Sequence, residues 1–482
     1  MASDTVASSV NNRLARVACA VPAEVWSQIL SYVNEKELKS VVVANFPHAS
    51  QQAVRLVWKE ITPENGKLVV LYHKVEHNPQ ALANHIHSLV MTFEAPGEQL
   101  AICRLSFPCL QQLKVIHNGN HMDVYTNTRV HVRTLIGPAL IHLEIGTPEN
   151  EGDDCKPRVD NFFQALAQCT ELKTLSIRAC VSGSTRDLVQ ALGACSKLKG
   201  LVLDKHTGPL VTSRTLKAPA SHSNLATLKI HKLIDMALIS TISMLNKPFG
   251  SLTSLNISIE AGAAASLLCF SRQLRCLHLI VDGTAYVFSA LSKSKLLEHL
   301  SLHFKDFALA GEDYKQLVHL THLKQLELCG NEEHDPGLDT ESVHGLSLAK
   351  VLGELPLLEL FRLHANDTFD DEFRVALGRG CPKLTSLAFS GAYELVGLRD
   401  EAGVIFPCLQ RLEIGNVVTD LPSMDDAAEN ELAAKIARAV RAHTPNLTIF
   451  HATIEEPSVD DILADKVERA WLQQMMLRFS SV

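Results

Sequence analysis

One spacing recurs through most of this 482-residue chain: a large apolar residue, a second three positions later, and a third two beyond that. It is first clear at Leu110, Leu113 and Val115. It continues at Leu140/Leu143/Ile145, Leu172/Leu175/Ile177, Leu198/Leu201/Leu203, Leu225/Leu228/Ile230 and Leu252/Leu255/Ile257. Further copies stand at Leu274/Leu277/Leu279, Leu297/Leu300/Leu302, Leu323/Leu326/Leu328, Leu358/Phe361/Leu363, Leu384/Leu387/Phe389 and Leu409/Leu412/Ile414. Fainter copies flank them at Ile86/Leu89/Met91 and Leu447/Phe450/Ala452. The second and third members of each copy are two residues apart, so on an extended chain they share one face. One copy alone cannot bury its apolar groups, whereas stacked neighbours make one continuous core. The chain is therefore expected to be a quasi-one-dimensional array.

Most copies start 22 to 27 residues apart, inside the range of about 20–29 residues for leucine-rich repeats. Between the strand signals, Phe162/Phe163/Leu166, Leu188/Val189/Leu192 and Phe373/Leu377 have helical spacing. Strand-then-helix units of this length predict an α/β solenoid, a leucine-rich-repeat horseshoe with parallel strands on its concave side, over residues 86–455. The array is irregular. The ninth position of a copy, often Asn or Cys in this repeat class, complies only at Asn118, Cys180, Asn331 and Asn366 among the clear copies. Longer gaps hold acidic loops at Thr147–Asp154 and Asn331–Asp339, and a longer helix over Asp425–His443. Cys169, Cys195 and Cys381 each sit three residues before a copy's first leucine, and Cys109 and Cys408 one before. Small buried residues at turns account for that periodicity better than a metal site.

Composition narrows the function. The chain is 46% hydrophobic and 20% charged, with net charge −8. A mildly acidic surface offers no general attraction to nucleic acid or an anionic membrane, and no apolar run reaches the ~20 residues of a membrane span. The 12 cysteines form no CxxC, which suits a reducing compartment, cytoplasmic or nuclear. Residues 1–20, with Arg13, Arg16 and several serines but no continuous apolar stretch, are expected to be a disordered leader. In residues 456–482, Leu463, Val467, Trp471, Met475 and Phe479 recur every four residues. That is one apolar helical stripe, fit to cap the open end of an array.

Residues 21–62 do not follow the repeat. Pro22 suits a helix's first turn, and Val25, Trp26, Ile29, Leu30 and Val33 form an amphipathic stripe. Leu38, Val41 and Val42 suggest a second short helix, and Val54, Val57, Trp58 and Ile61 a third. This segment resembles the F-box. It has a Val21-Pro22-x-Glu24 start, an Ile29-Leu30-x-Tyr32-Val33 centre, an acidic-Leu step at Glu37-Leu38, and a closing Trp58 before Ile61. Val21 stands where Leu is usual, and Val43-Ala-Asn-Phe46 replaces the family's Val-x-Arg/Lys-x-Trp. The loose, cysteine-containing repeats that follow look like those of F-box leucine-rich-repeat proteins. The resemblance implies a substrate receptor of an SCF-type ubiquitin ligase. Its F-box would dock a Skp-type adaptor and through it a cullin, with residues 63–85 as a connection to the solenoid. Pro22, Glu24, Val25, Ile29, Leu30 and Leu38 would lie at or beside the adaptor contact, though some of them would form the module's own core. The alternative is a solenoid scaffold that binds partners without directing ubiquitination.

No GxSxG, Walker A, HExxH or dinucleotide fingerprint occurs, so neither an enzyme nor a cofactor is expected. His299 and His303 are four apart on a predicted strand, about 13 Å at ~3.3 Å per residue, too far to share one zinc. No metal site is expected. Positions alternating with the buried leucines point outward on each strand. They place Arg178, Lys229, His231, His278, His299, His303, Arg362 and His364 on the concave face, with Glu327 as the main opposing charge. Such a band favours an acidic or phosphorylated target against the plainer alternative of a solvated surface.

Overall fold

The structure is a computed structural model. It describes residues 25, 30, 53–62, 79–93, 102, 104–117, 129–130, 132–146, 158–159, 162–181, 183–283, 287–305, 313–330, 345–364, 371–394, 403–418, 426–452 and 466–473. The leader, Pro22, Glu24, Ile29, Leu38 and the two acidic loops lie outside the described residues. The chain divides into two compact units, Met1–Asn224 and Leu225–Val482.

Each unit is an α/β leucine-rich-repeat solenoid built on parallel strands. In the first unit the main sheet runs through β1 (Glu60–Ile61), β2 (Ser88–Phe93), β3 (Gln112–His117), β5 (His142–Gly146), β7 (Thr174–Arg178) and β9 (Gly200–Leu203). Each strand pairs parallel with the next. A second, three-stranded parallel sheet joins β4 (Arg129–Val130), β6 (Arg158–Val159) and β8 (Cys180–Val181). The second unit runs through β10 (Thr227–Ile234), β11 (Ser254–Glu260), β12 (Cys276–Asp282), β13 (His299–Phe304), β14 (Gln325–Cys329), β15 (Leu360–His364), β16 (Ser386–Glu394), β17 (Arg411–Val418) and β18 (Ile449–Ala452). Its neighbours are again parallel. Helices such as Thr185–Ala194, Ala261–Phe270 and Asp371–Gly380 connect successive strands. The helix expected in the last long gap is present as Asp426–His443.

The repeat spacing is explained by what each position does. The apolar residues at the fourth and sixth places of every clear copy are buried, and each is worth about 1.5–3 kcal/mol when fully removed from water. The residue just after a copy's first leucine carries the lateral ladder. Glu298 N–H donates to the Arg275 carbonyl, Lys324 to Glu298, Glu359 to Lys324 and Thr385 to Glu359, at 2.7–2.8 Å. The first leucine itself closes a turn onto the carbonyl three residues back, as Leu172 does on Cys169 and Leu384 on Cys381. That turn position is buried in copy after copy and is often cysteine. The thiol of Cys169 donates to the Gly137 carbonyl at 3.3 Å, and that of Cys381 to Leu352 at 3.3 Å, so each reaches the preceding repeat. Burial pushes both thiols up to about 12, which leaves them unreactive structural groups.

Glycine matters where helices touch. A Cβ on Gly380 would lie 2.7 Å from the Gly353 Cα. The helices Gly345–Gly353 and Asp371–Gly380 therefore meet through paired glycines, and Gly380→Ala would force them apart.

Both fainter copies form strands, β2 and β18, and one further short strand, β1, precedes them. One local expectation needs correction. Ile61 is not on a third helix of the N-terminal module; the helix there covers 53–57. Ile61 lies on β1, with its partner Leu89 on β2, because an apolar residue beside the first repeat completes the sheet edge. Leu30 is 2% exposed and packs with Ala53 and Val57. Val25 is 42% exposed. In the tail, residues 466–473 are helical, and buried Trp471 lies against Phe450 of β18 with ring centroids 5.8 Å apart. Leu463, Met475 and Phe479 lie outside the described residues.

Candidate binding face

The strands' open side is set by alternation. On β12 the burial pattern alternates regularly, with Leu277, Leu279 and Val281 inward and Cys276, His278 and Ile280 outward. Because neighbouring strands are in register, outward residues at the same place in successive copies fall side by side. One such row crosses β10 to β15 as Lys229, Asn256, His278, Ser301, Glu327 and Arg362. A parallel row two residues on holds His303, Cys329 and His364.

All eight residues expected to face a target lie on strands. Arg178 ends β7 in the first unit; the other seven belong to the second. Lys229 is in the first row. His231 sits where the register slips between Ile230 and Leu233, in a bulge that turns it outward and leaves it exposed. His299 pairs in register with Cys276 and Gln325. His278, His303 and Arg362 are drawn together with two residues of lesser prominence in the sequence, Ser301 and Glu327.

Ser301 is the hub. Its hydroxyl donates to Glu327 Oε2 at 2.8 Å, while His278 Nδ1 lies 2.9 Å and His303 Nε2 3.1 Å from the same oxygen. A hydroxyl has one proton and two lone pairs. With the proton on Glu327, both imidazoles must donate, which puts protons on Nδ1 of His278 and Nε2 of His303. The two rings are 4.7 Å apart. Glu327 also accepts from Arg362 Nη1 at 2.9 Å, and Arg362 reaches towards Glu413 at 3.9 Å. Hydrogen bonds thus run through β12, β13, β14 and β15.

This geometry sets the charges. Burial, with the neighbouring His303 next, lowers His278 to about 4, against a smaller opposing pull from Glu327. His278 is therefore neutral through pH 6–8 and supplies no cation to an acidic ligand there. Burial pushes the Glu327 carboxyl up, but the hydrogen bonds from Ser301 and Arg362 outweigh it and hold the group below the usual carboxylate range. The band is thus mixed in charge, with its arginine already paired. A groove of about 340 Å³ runs over it, lined by Asn256, His278, His299, Ser301, Glu327 and Arg362 among others.

The first unit has a comparable groove of about 350 Å³, lined by Lys114, His142, Glu144, Thr174, Ser176 and Arg178 among others. Sequence reasoning singled out only Arg178 there. The signal for the rest was the fifth place of each copy, held in succession by Lys114, Glu144 and Ser176. No helix among the described residues is long and apolar enough to cross a membrane.

No protein-family model matches the chain, and no curated protein matches it in sequence. Solved structures resemble it in fold at low identity. An internalin (inlF) from Listeria monocytogenes is 16% identical over 81% of this chain and 89% of its own, with a TM-score of 0.38. Rad7, solved in complex with Elc1 from yeast, is 14% identical over 86% and 92%, with a TM-score of 0.40. TLR13, solved with ssRNA13, is 13% identical over 81% and 53%, with a TM-score of 0.41. At such scores the fold assignment rests on this chain's own strand ladder and repeat turns.

Proposed function

We propose that this chain is a non-catalytic receptor that holds a target protein on the open strand face of its solenoid. By their resemblance to the F-box, residues 21–62 dock a Skp-type adaptor and through it a cullin, which makes the chain the substrate-recognition subunit of an SCF-type E3 ubiquitin ligase. The observation that supports the receptor reading best is the row from Lys229 to Arg362, polar on six successive strands above an apolar core. Strands about 4.8 Å apart make that row on the order of 24 Å long, the span of some seven extended residues. The backbone groups of inner strands are used in the ladder, so a target is read by side chains. Lys229 and Arg362 favour an acidic or phosphorylated segment, whose oxygens would share Arg362 with Glu327. The chain's role is tethering, which raises the local concentration of target beside the transfer machinery without chemistry of its own.

The test is purification of the tagged full chain from cells, with mass spectrometry of its partners and measurement of target half-life. Recovery of a Skp adaptor and a cullin, with a target that lives longer when the chain is depleted, is expected. An adaptor without a cullin and an unchanged target half-life would favour the scaffold reading. Recovery of neither adaptor nor cullin would overturn the ligase assignment.

A further inference from the structure

We propose that His303, Glu327 and Cys329 form a binding site for one divalent transition-metal ion of the zinc type. Their ligand atoms lie within 4.8 Å of one another. Tetrahedral zinc, with bonds of about 2.0–2.3 Å, needs ligand atoms on the order of 3.5 Å apart, so closure takes roughly 1 Å of side-chain movement and no change of backbone. The backbone is already a template. His303 and Cys329 are register partners on β13 and β14, and Glu327 is two residues before Cys329 on the same face. The spacing argument against shared zinc ligation by His299 and His303 holds along one strand. It does not reach ligands offered by the neighbouring strand.

The ligand chemistry is coherent. Imidazole nitrogen, carboxylate oxygen and thiolate sulfur together suit zinc better than magnesium or calcium, which take oxygen. On binding, the Cys329 thiol loses its proton to solvent and a metal–sulfur bond forms. Thiolate and carboxylate then neutralise the dication, so the nearby Arg362 guanidinium is not repelled. The surroundings also fit. His303 Nε2 lies 3.1 Å from Ser301 Oγ, the kind of neighbouring hydrogen bond that orients a ligating imidazole. Ser301 and Arg362 hold the Glu327 carboxylate, and each oxygen keeps a lone pair for a metal. Cys329 differs from the turn cysteines, being at an outward strand position between two histidines.

A second observation points to a missing partner. His364 stands in register with Cys329 on β15, and its Nδ1 is shut off from solvent with no hydrogen-bond partner among the described residues. An orphaned imidazole nitrogen beside a thiol is unusual in a finished surface. It is accounted for if a metal-bound water, filling the position left by three protein ligands, donates to it.

The test uses the full chain stripped with chelator, then titrated with Zn²⁺ by calorimetry and with Co²⁺ by absorption. One ion per chain and a thiolate-to-cobalt charge-transfer band are expected. Cys329→Ser should abolish the band, and His303→Asn should weaken Zn²⁺ at least tenfold, while Cys408→Ala, which removes an exposed thiol, changes neither. Thermal melts without metal confirm that the variants fold. Should a variant not fold, Glu327→Gln, which removes the third ligand's charge, provides the same comparison. No stoichiometric binding, or binding equally strong in Cys329→Ser and His303→Asn, would overturn the site. The titration needs no partner protein, so it stands or falls separately from the receptor reading.

Discussion

The open faces of the two units are built on one plan but connect their polar side chains differently. In the first unit the contacts join one strand to its neighbour: Lys114 Nζ lies 3.2 Å from Glu144 Oε2, and His142 Nδ1 lies 2.7 Å from Thr174 Oγ1. In the second unit a single serine lets hydrogen bonds continue across four strands, from His278 to Arg362. The backbone spacing is the same in both. Serine holds the fifth place in both units, and the difference is its neighbours: Ser176 stands in register between Glu144 and Val202, whereas Ser301 meets two imidazoles and a carboxylate. A repeat therefore fixes where side chains stand, while the side chains decide whether they act singly or as a set.

The largest expected effects lie beneath both faces and should not distinguish them. Leu201→Ala in the first unit and Leu302→Ala in the second each empty a fully buried position and should each cost about 2–5 kcal/mol in denaturant unfolding. A cost below 1 kcal/mol at either site would mean that the two cores are not built alike.

On the surface the units should part. Glu327→Gln leaves Arg362 without its carboxylate and disturbs the Ser301 hub, at a cost of about 1–3 kcal/mol. Glu144→Gln breaks one surface ion pair and should cost about 1 kcal/mol or less. Equal costs would remove the distinction between a connected and a pairwise face.

A smaller, pH-dependent effect sharpens the same contrast. His278 is held at about 4, below the ordinary 6.5, so as pH falls the unfolded state takes up its proton first. The stability this neutral imidazole contributes is complete above pH 6.5 and is lost progressively between 6.5 and 4. Proton NMR of the ring should show an apparent pKa near 4. Glu327→Gln should lower it further, because the carboxylate is what raises it. A titration near 6.5 would contradict the buried network.

Much of the scaffold was legible because its signal is local and repeated. Each copy's leucines, the turn cysteines and even the faint copies at Leu89 and Phe450 are tied to short-range geometry. What escaped depends on alignment across strands. Ser301 and Cys329 look ordinary along the chain and acquire meaning only when His278, Glu327 and His364 are set beside them from copies 23 to 35 residues away. The β4–β6–β8 sheet follows the main strands of three successive copies, two of them lengthened by insertions, where the leucine spacing gives no register. Leu30 fits both a contact and a core reading along the chain, and its packing with Ala53 and Val57 appears only in three dimensions.

We propose that the chain docks the ligase machinery with one end and a target with its second-unit face. Affinity purification with mass spectrometry, comparing the full chain with Val25→Asp and Arg362→Glu, tests this most directly. Val25 is exposed, and Arg362→Glu sets a third acid beside Glu327 and Glu413. Val25→Asp should lose the Skp adaptor and cullin while keeping the target, and Arg362→Glu should lose the target while keeping both. Two folded variants that retain every partner of the parent chain would contradict it.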